Sequence, residues 1–373
     1  MNALNMNTPS IGLDLSIIIP TFNRADLTKQ CLDRLHAQRE GTSANIPHEI
    51  IVVDNASTDS TPGMIQERFP EVRLVVNETN ENFSGACNRG ASLAHADNIV
   101  FLNNDTIPFD GWMGPLLEEL RAGAGACGSK LVFLDNKIQH AGVAFMRETR
   151  FPYHPYRGVS GNDPAVNHRR DLQVVTGACL ATPTALFQKL NGFSTRYRNG
   201  GEDIDFCLKV RQASKRVIYR HDSVLIHLES QSPGRMDYNQ QNVEIFFEMW
   251  PDAVLSDEDN YYFEDGFHRT GDRQAIDQTE LSSFRDESEK AAWQSVALLQ
   301  SQHEVWAYKA EQYPADAAVL EWVGFLARKR GKFELSSNLF ARACQIRAYR
   351  TILNSQKEFT GARLSSNFVK FLQ

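Results

Sequence analysis

Residues 15–20 read LSIIIP and residues 49–54 read EIIVVD. Each is a short, β-rich apolar run closed by Pro or Asp, the pattern of a strand buried on both faces of a sheet. Between them, residues 25–38 place Leu27, Cys31, Leu32 and Leu35 at helical spacing. Strand, helix, strand is the unit of a parallel, doubly wound α/β sheet. A third strand is expected over 72–76, a helix over 86–94, and a fourth strand over 98–102 that runs into Asn103-Asn104-Asp105. Asn23, Asp54 and Asp105 thus all follow strand carboxyl ends, where open α/β sheets bind ligands.

Further along, a helix over 113–121 precedes a strand over 130–134, and the polar, Pro- and Gly-containing stretch 150–170 reads as a mobile surface loop. An apolar segment over 171–182 leads to a helix over 184–190, ended by Asn191-Gly192. Beyond Arg235 the composition shifts to acidic runs and aromatics, then to helical periodicity. The expected organisation is a disordered or extended N-terminus (1–13), an α/β domain (14–236), a linker with helical and irregular segments (237–281) and an all-α C-terminal domain (282–373). In that tail Val319, Trp322, Val323 and Leu326 share one helical face and Leu335, Leu339, Ala343 and Ile346 another, with Gly331 between them. The hairpin resembles one tetratricopeptide repeat, a unit that needs a neighbour to cover its apolar face.

The 373 residues carry 46 acidic and 39 basic side chains, a formal charge of -7. An acidic chain offers no general field for nucleic acid, so phosphate binding would need local donors or a metal. The six cysteines lack a C-x-x-C pair and read as reduced, buried thiols. Neither a signal peptide nor a membrane-spanning apolar run is legible, so the expectation is a cytoplasmic protein with at most a peripheral membrane association. Residues 123–128, GAGACG, fit the dinucleotide fingerprint G-x-G-x-x-G literally. They follow a helix and precede a strand, the reverse of what phosphate binding requires, which argues against a nicotinamide or flavin enzyme.

Seven segments in order carry a wider resemblance: IPTFNR (19–24), VDNASTD (53–59), NENFSGACNRG (80–90), FLNND (101–105), QHAG (139–142), GEDIDFCL (201–208) and HLES (227–230). Together they resemble the family 2 glycosyltransferases, which have the GT-A fold: a Rossmann-like first half and a mixed sheet. The resemblance implies an inverting transferase that moves a sugar from a nucleotide diphosphate donor, a UDP- or dTDP-sugar, to an acceptor hydroxyl. Its nearest likeness is to bacterial rhamnosyl and hexosyl enzymes of surface-polysaccharide synthesis.

Asn103-Asn104-Asp105 stands where that family carries D-x-D, which implies a divalent metal, Mn²⁺ or Mg²⁺, on Asp105, with Asn103 on the ribose and Asn104 beside the donor. His227 completes the metal site by the same resemblance; imidazole is an acceptable ligand for Mn²⁺. Inversion requires a carboxylate that takes the proton of the attacking hydroxyl. The resemblance gives this role to Asp203, with Glu202 in support and Gly201, Asp205 and Thr176 facing the acceptor. Thr21, Asn23, Asp54 and Asn55 are expected to line the nucleoside pocket, and Asn88 and Arg89 to open a helix toward the donor. Asn82 replaces a customary Gly, and Asn tolerates the left-handed backbone that such a position needs. The acceptor is a glycan or, alternatively, a polypeptide gripped by the helical tail; self-association through that tail is a further expectation. A reading of another class is a non-catalytic scaffold in which Asn103 marks a decayed metal site.

Overall fold

The two apolar runs form adjacent parallel strands, β1 (Leu15–Thr21) and β2 (His48–Asp54), in register from Leu15 opposite His48 to Thr21 opposite Asp54. All of β1 is buried, and each fully buried Ile or Leu of such a run contributes about 1.5–3 kcal/mol. The computed structural model describes residues 12–39, 46–146, 150–228, 239–250, 254–265, 267–269 and 281–283. The chain divides into two compact units, Met1–Leu255 and Ser256–Gln373.

In the first unit α1 (Ala25–Arg39) joins β1 to β2. Then come α2 (Thr61–Arg68), β3 (Arg73–Val76), α3 (Asn82–Ser92), β4 (Asn98–Leu102) and β5 (Thr106–Pro108). After α4 (Met113–Arg121) come β6 (Ala126–Val132), β7 (Ile138–His140), β8 (Ala144–Phe145), β9 (Pro152–Tyr153), β10 (Arg170–Leu172) and β11 (Cys179–Pro183). The unit ends with α5 (Thr184–Lys189), α6 (Glu202–Gln212), the long β12 (Val217–His227) and α7 (Asn239–Met249). Ten strands make one mixed sheet, ordered β10-β12-β6-β11-β4-β1-β2-β3, with β5 on β12 and β7 on β6. Strands β4, β1, β2 and β3 run parallel; β11 enters antiparallel between β4 and β6.

Residues 123–128 follow helix α4 and run into strand β6, which begins at Ala126, earlier than the strand expected over 130–134. Two of their glycines answer to packing: a Cβ on Gly125 would lie 2.5 Å from the Val210 side chain, and one on Gly128 2.5 Å from that of Val175. The stretch 150–170 differs from the mobile surface loop expected. Lys130 Nζ donates to Asn167 Oδ1 at 2.6 Å and the Tyr219 hydroxyl to the Val166 carbonyl at 2.8 Å, while Tyr156, Ala165 and Val166 are buried. Its polar composition feeds internal hydrogen bonds rather than solvent. The five cysteines among the described residues are free and buried, and burial pushes the Cys31 and Cys179 thiols up to about 12, out of the reactive range.

In the second unit α8 (Glu258–Glu264) is followed by β13 (Phe267–Arg269) and β14 (Leu281–Ser283), an antiparallel pair. Residues 282 and 283, expected to begin the helical tail, are therefore strand. The rest of that tail and residues 1–11 lie outside the described residues. Among the described residues no helix is long and apolar enough to cross a membrane.

Candidate active site

Strand order reverses at β1, which has β2 on one side and β4 on the other. The carboxyl ends of β1 and β4 bound the crevice where open α/β sheets bind ligands. Asn104 reaches across it, donating to Thr21 Oγ1 at 3.1 Å and Thr28 Oγ1 at 3.0 Å. Its side chain therefore ties β4 to β1 and α1, and Thr21, buried and bonded to Thr28, is part of the same tie.

Asp105 meets His227 because β5 starts one residue later and pairs antiparallel with β12, Thr106 opposite His227. The Leu228 amide donates to the Asp105 carbonyl at 3.0 Å. His227 Nε2 lies 3.1 Å from Asp105 Oδ1, and both side chains are almost wholly buried. The ring's other nitrogen, Nδ1, lies 2.7 Å from Gln139 Oε1. A carbonyl oxygen can only accept, so Nδ1 carries a proton, and Nε2 is the ring nitrogen turned toward the carboxylate. Asn103 Nδ2 lies 3.3 Å from the same Nε2. An imidazole whose far N–H is fixed by a carbonyl, with its other nitrogen next to a carboxylate oxygen, is a donor set that divalent metals take in proteins. The residues fit such an ion. Among the described residues there is no cluster of three or more His, Cys, Asp or Glu able to hold a metal.

Asp203 belongs to the same neighbourhood through β11. The Asn103 amide donates to the Ala178 carbonyl at 3.0 Å, and the adjacent Gly177 amide donates to Asp203 Oδ2 at 2.7 Å. Asp203 Oδ1 accepts from the Ile204 amide at 2.9 Å. The partly exposed carboxylate thus sits in the first turn of α6, where amides and helix dipole favour negative charge. Glu202 is buried and its Oε2 accepts from the Gly200 amide at 2.8 Å, bracing the turn before the helix. That turn needs glycine: Gly201 has φ 98, and a Cβ there would lie 2.8 Å from the Tyr197 ring. Thr176 donates its amide to His140 Nε2 at 3.4 Å and accepts through Oγ1 from the Ala178 amide.

Several expected contacts take other roles. Asp205, read as facing the acceptor, is fully buried; Oδ1 accepts from the Trp250 indole at 3.0 Å and Oδ2 pairs with Lys209 at 2.6 Å. It points to the core side of α6. Asn55 is buried with its side chain given to a loop: Nδ2 donates to the Asn82 carbonyl, while Oδ1 accepts from Asn77 Nδ2 and the Glu81 amide. Asn88 and Arg89 do not open a helix, because α3 begins at Asn82. Asn88 clamps the Phe193 peptide through both amide atoms, and exposed Arg89 donates to Asn77 Oδ1. Asn23 holds Thr58 through Oδ1, and its amide donates to Ser57 Oγ. Asp54 keeps a buried carboxylate oxygen, Oδ1, without a hydrogen-bond partner among the described residues, while Oδ2 caps Ser57. Asn82 adopts φ 57, the left-handed backbone expected of it.

Sequence reasoning gave Gln139 and His140 no role. Gln139 sits on β7, whose partner β6 lies beside β12. Being next to β6 brings it to His227; the only local signal was its place in the QHAG segment. His140 is buried, with Nδ1 3.0 Å from His154 Nδ1. Burial, then the nearby His154 and His227, hold it well below the usual histidine range and therefore neutral.

Residues 16–159 match the sequence profile of glycosyl transferase family 2. That segment of the chain is thus similar to the family, and it lies on the mixed α/β sheet. Over 228 residues the chain is 32% identical to the O-antigen biosynthesis protein RfbC of Myxococcus xanthus, covering 58% of this chain and 17% of that protein. Over 216 residues it is 23% identical to the N-acetylglucosaminyl-diphospho-decaprenol L-rhamnosyltransferase of Mycobacterium tuberculosis strain H37Rv, covering 51% and 69% respectively. The chain thus spans only a small part of the first of these relatives. The crystal structure of GalNAc-T7 with UDP, GalNAc and Mn²⁺ aligns at a TM-score of 0.48 and 14% identity, over 64% of this chain and 50% of that one.

Proposed function

We propose that the chain is an inverting, metal-dependent glycosyltransferase that moves a sugar from a UDP- or dTDP-sugar to the hydroxyl of a glycan acceptor in bacterial surface-polysaccharide synthesis. The observation that carries this reading is the convergence of two separate acidic features on one strand end. The Asp105–His227 pair and the Asp203 carboxylate are joined by the backbone of residues 177–178 and Asn103. The family profile over 16–159 and the relatives named for O-antigen synthesis and rhamnosyl transfer support this reaction class.

On this reading Asp105 and His227 hold Mn²⁺ or Mg²⁺, which when bound neutralises the donor diphosphate. Gln139 holds the His227 ring with Nε2 toward Asp105. Asp54, with its unpartnered Oδ1, offers an acceptor to a nucleobase or ribose donor group. Asp203 takes the proton of the acceptor hydroxyl as that oxygen attacks the anomeric carbon from the face opposite the leaving nucleotide. Glu202 and Gly201 shape the turn that presents Asp203, and Thr176 flanks the acceptor side. Asn23, Asn55, Asn88, Arg89, Asn104 and Thr21 hold the crevice walls in place.

Thermal unfolding of the full chain with UDP or dTDP, each with and without Mn²⁺, tests the reading. A nucleotide at about 100 times its dissociation constant stabilises by about 2.7 kcal/mol, and the increment should depend on the metal. Screening nucleotide sugars for hydrolysis then identifies the donor. No stabilisation by any nucleotide, with or without metal, would overturn the proposal.

A further inference from the structure

We infer that α7, which follows the long strand β12 and lies beyond the family-matched segment, is the brace of the catalytic turn, and that Asn242 is a positioning residue for Asp203. The inference rests on the reading of Asp203 as the base. The segment leading into Asp203 is conformationally demanding: Asn199, Gly200 and Gly201 are consecutive residues with φ of 52, 157 and 98. A run in such backbone regions persists only where its surroundings over-determine it.

Asn242 supplies that determination. It is buried, its Oδ1 accepts from the Arg198 amide at 3.0 Å, and its Nδ2 donates to the Arg198 carbonyl at 2.9 Å. One side-chain amide thus pairs with both backbone groups of the residue immediately before the run. Trp250, just past the end of α7, donates its indole N–H to Asp205 at 3.0 Å, in the first turn of α6. The α7 segment therefore grips the chain on both sides of Asp203, at 198 and at 205. Glu248 pairs with Arg196 at 2.7 Å, and Phe246 stacks on Phe145 with centroids 6.2 Å apart, which seats the helix on the α/β unit. From the other side Asn199 Oδ1 accepts from the Phe83 amide at 3.3 Å, tying the turn to the start of α3.

This makes residues 239–250 part of the catalytic unit instead of the linker that composition suggested. Misplacement of a reacting group by about 1 Å can lower rate about 10²-fold. The Asn242→Ala variant of the full chain should lower kcat for sugar transfer about 10- to 100-fold on that scale. Donor affinity with Mn²⁺ should stay within about twofold of wild type, because the metal ligands sit on other elements. Hydrogen exchange should rise in peptides covering 197–204 and stay unchanged in β1 and β4. Asn242→Asp keeps the acceptor for the Arg198 amide but loses the donor to its carbonyl, and should fall between wild type and Asn242→Ala; it also provides a folded variant should the alanine form aggregate. Wild-type kcat in both variants overturns the inference, as does parallel loss of donor affinity and turnover, which would mean general unfolding. The underlying reading fails separately, if Asp203→Asn in the same assay transfers sugar as fast as wild type.

Discussion

The ends of β1 and β2 and the ends of β4 and β12 are equally rich in Asn, Asp, Ser and Thr, yet they use these side chains differently. At β1 and β2 the polar atoms close on one another: Asn23 with Thr58, Asp59 with the Ala25 amide, and Asn55 with Asn77 and the Asn82 carbonyl. These bonds sew three loops into a rigid wall and leave few atoms for a ligand, Asp54 Oδ1 being one. At β4 and β12 the groups are gathered differently: a carboxylate beside an imidazole nitrogen, and a second, partly exposed carboxylate on two backbone amides. A wall can be built from hydrogen bonds that are complete. A site that acts on phosphate and hydroxyl must keep its strongest acceptors available.

Breaking this contrast should cost most at Asp203. Asp203→Asn retains shape and an oxygen for the Gly177 amide but removes the proton acceptor, so transfer should fall about 10²- to 10⁴-fold while donor binding persists. Equal turnover in steady-state assays would place the base elsewhere. Next come Asp105→Ala and His227→Ala, each of which should abolish the Mn²⁺ dependence of donor binding measured by calorimetry, an effect that excess chelator should reproduce on the wild type. Full wild-type activity in chelator would remove the metal from the mechanism.

Gln139→Ala sharpens the comparison, since the side chain touches the proposed metal only through His227. Removing an outer-shell partner of a ligand typically lowers metal affinity about 10- to 100-fold. In the metal-free variant, nitrogen NMR of the His227 ring should show the Nδ1 hydrogen bond lost; an unaltered ring and unaltered Mn²⁺ affinity would contradict the assignment. The smallest effect on chemistry is expected on the other side of the contrast, at Asn55. Asn55→Ala leaves buried partners unsatisfied and should destabilise by about 1–3 kcal/mol in urea unfolding, with turnover per folded molecule nearly unchanged. Normal stability together with lost donor binding would make Asn55 a ligand contact after all.

Much of this molecule was legible locally. The strand over 98–102 and the helix over 113–121 have the boundaries that periodicity indicates, because both bury one continuous apolar pattern. The left-handed Asn82 was legible for the same local reason. Helix α2 was not: only Thr61 and Ile65 of its eight residues are buried, too few to mark a face. Asn55 and Asn88 could not be told from ligand contacts, since an amide at a strand end or helix serves a loop or a substrate equally well by composition.

By itself, then, the sequence determined the α/β class, the strand ends that would be polar and the residue types able to hold a metal or accept a proton, because hydrophobic period and turn chemistry act over a few residues. Only the tertiary structure decided which of those groups meet. The pairing of Thr106 with His227, the delivery of Gln139 by β7 and the grip of Asn242 on Arg198 join positions far apart in the chain. Sheet register and helix docking, which no short segment encodes, set those distances.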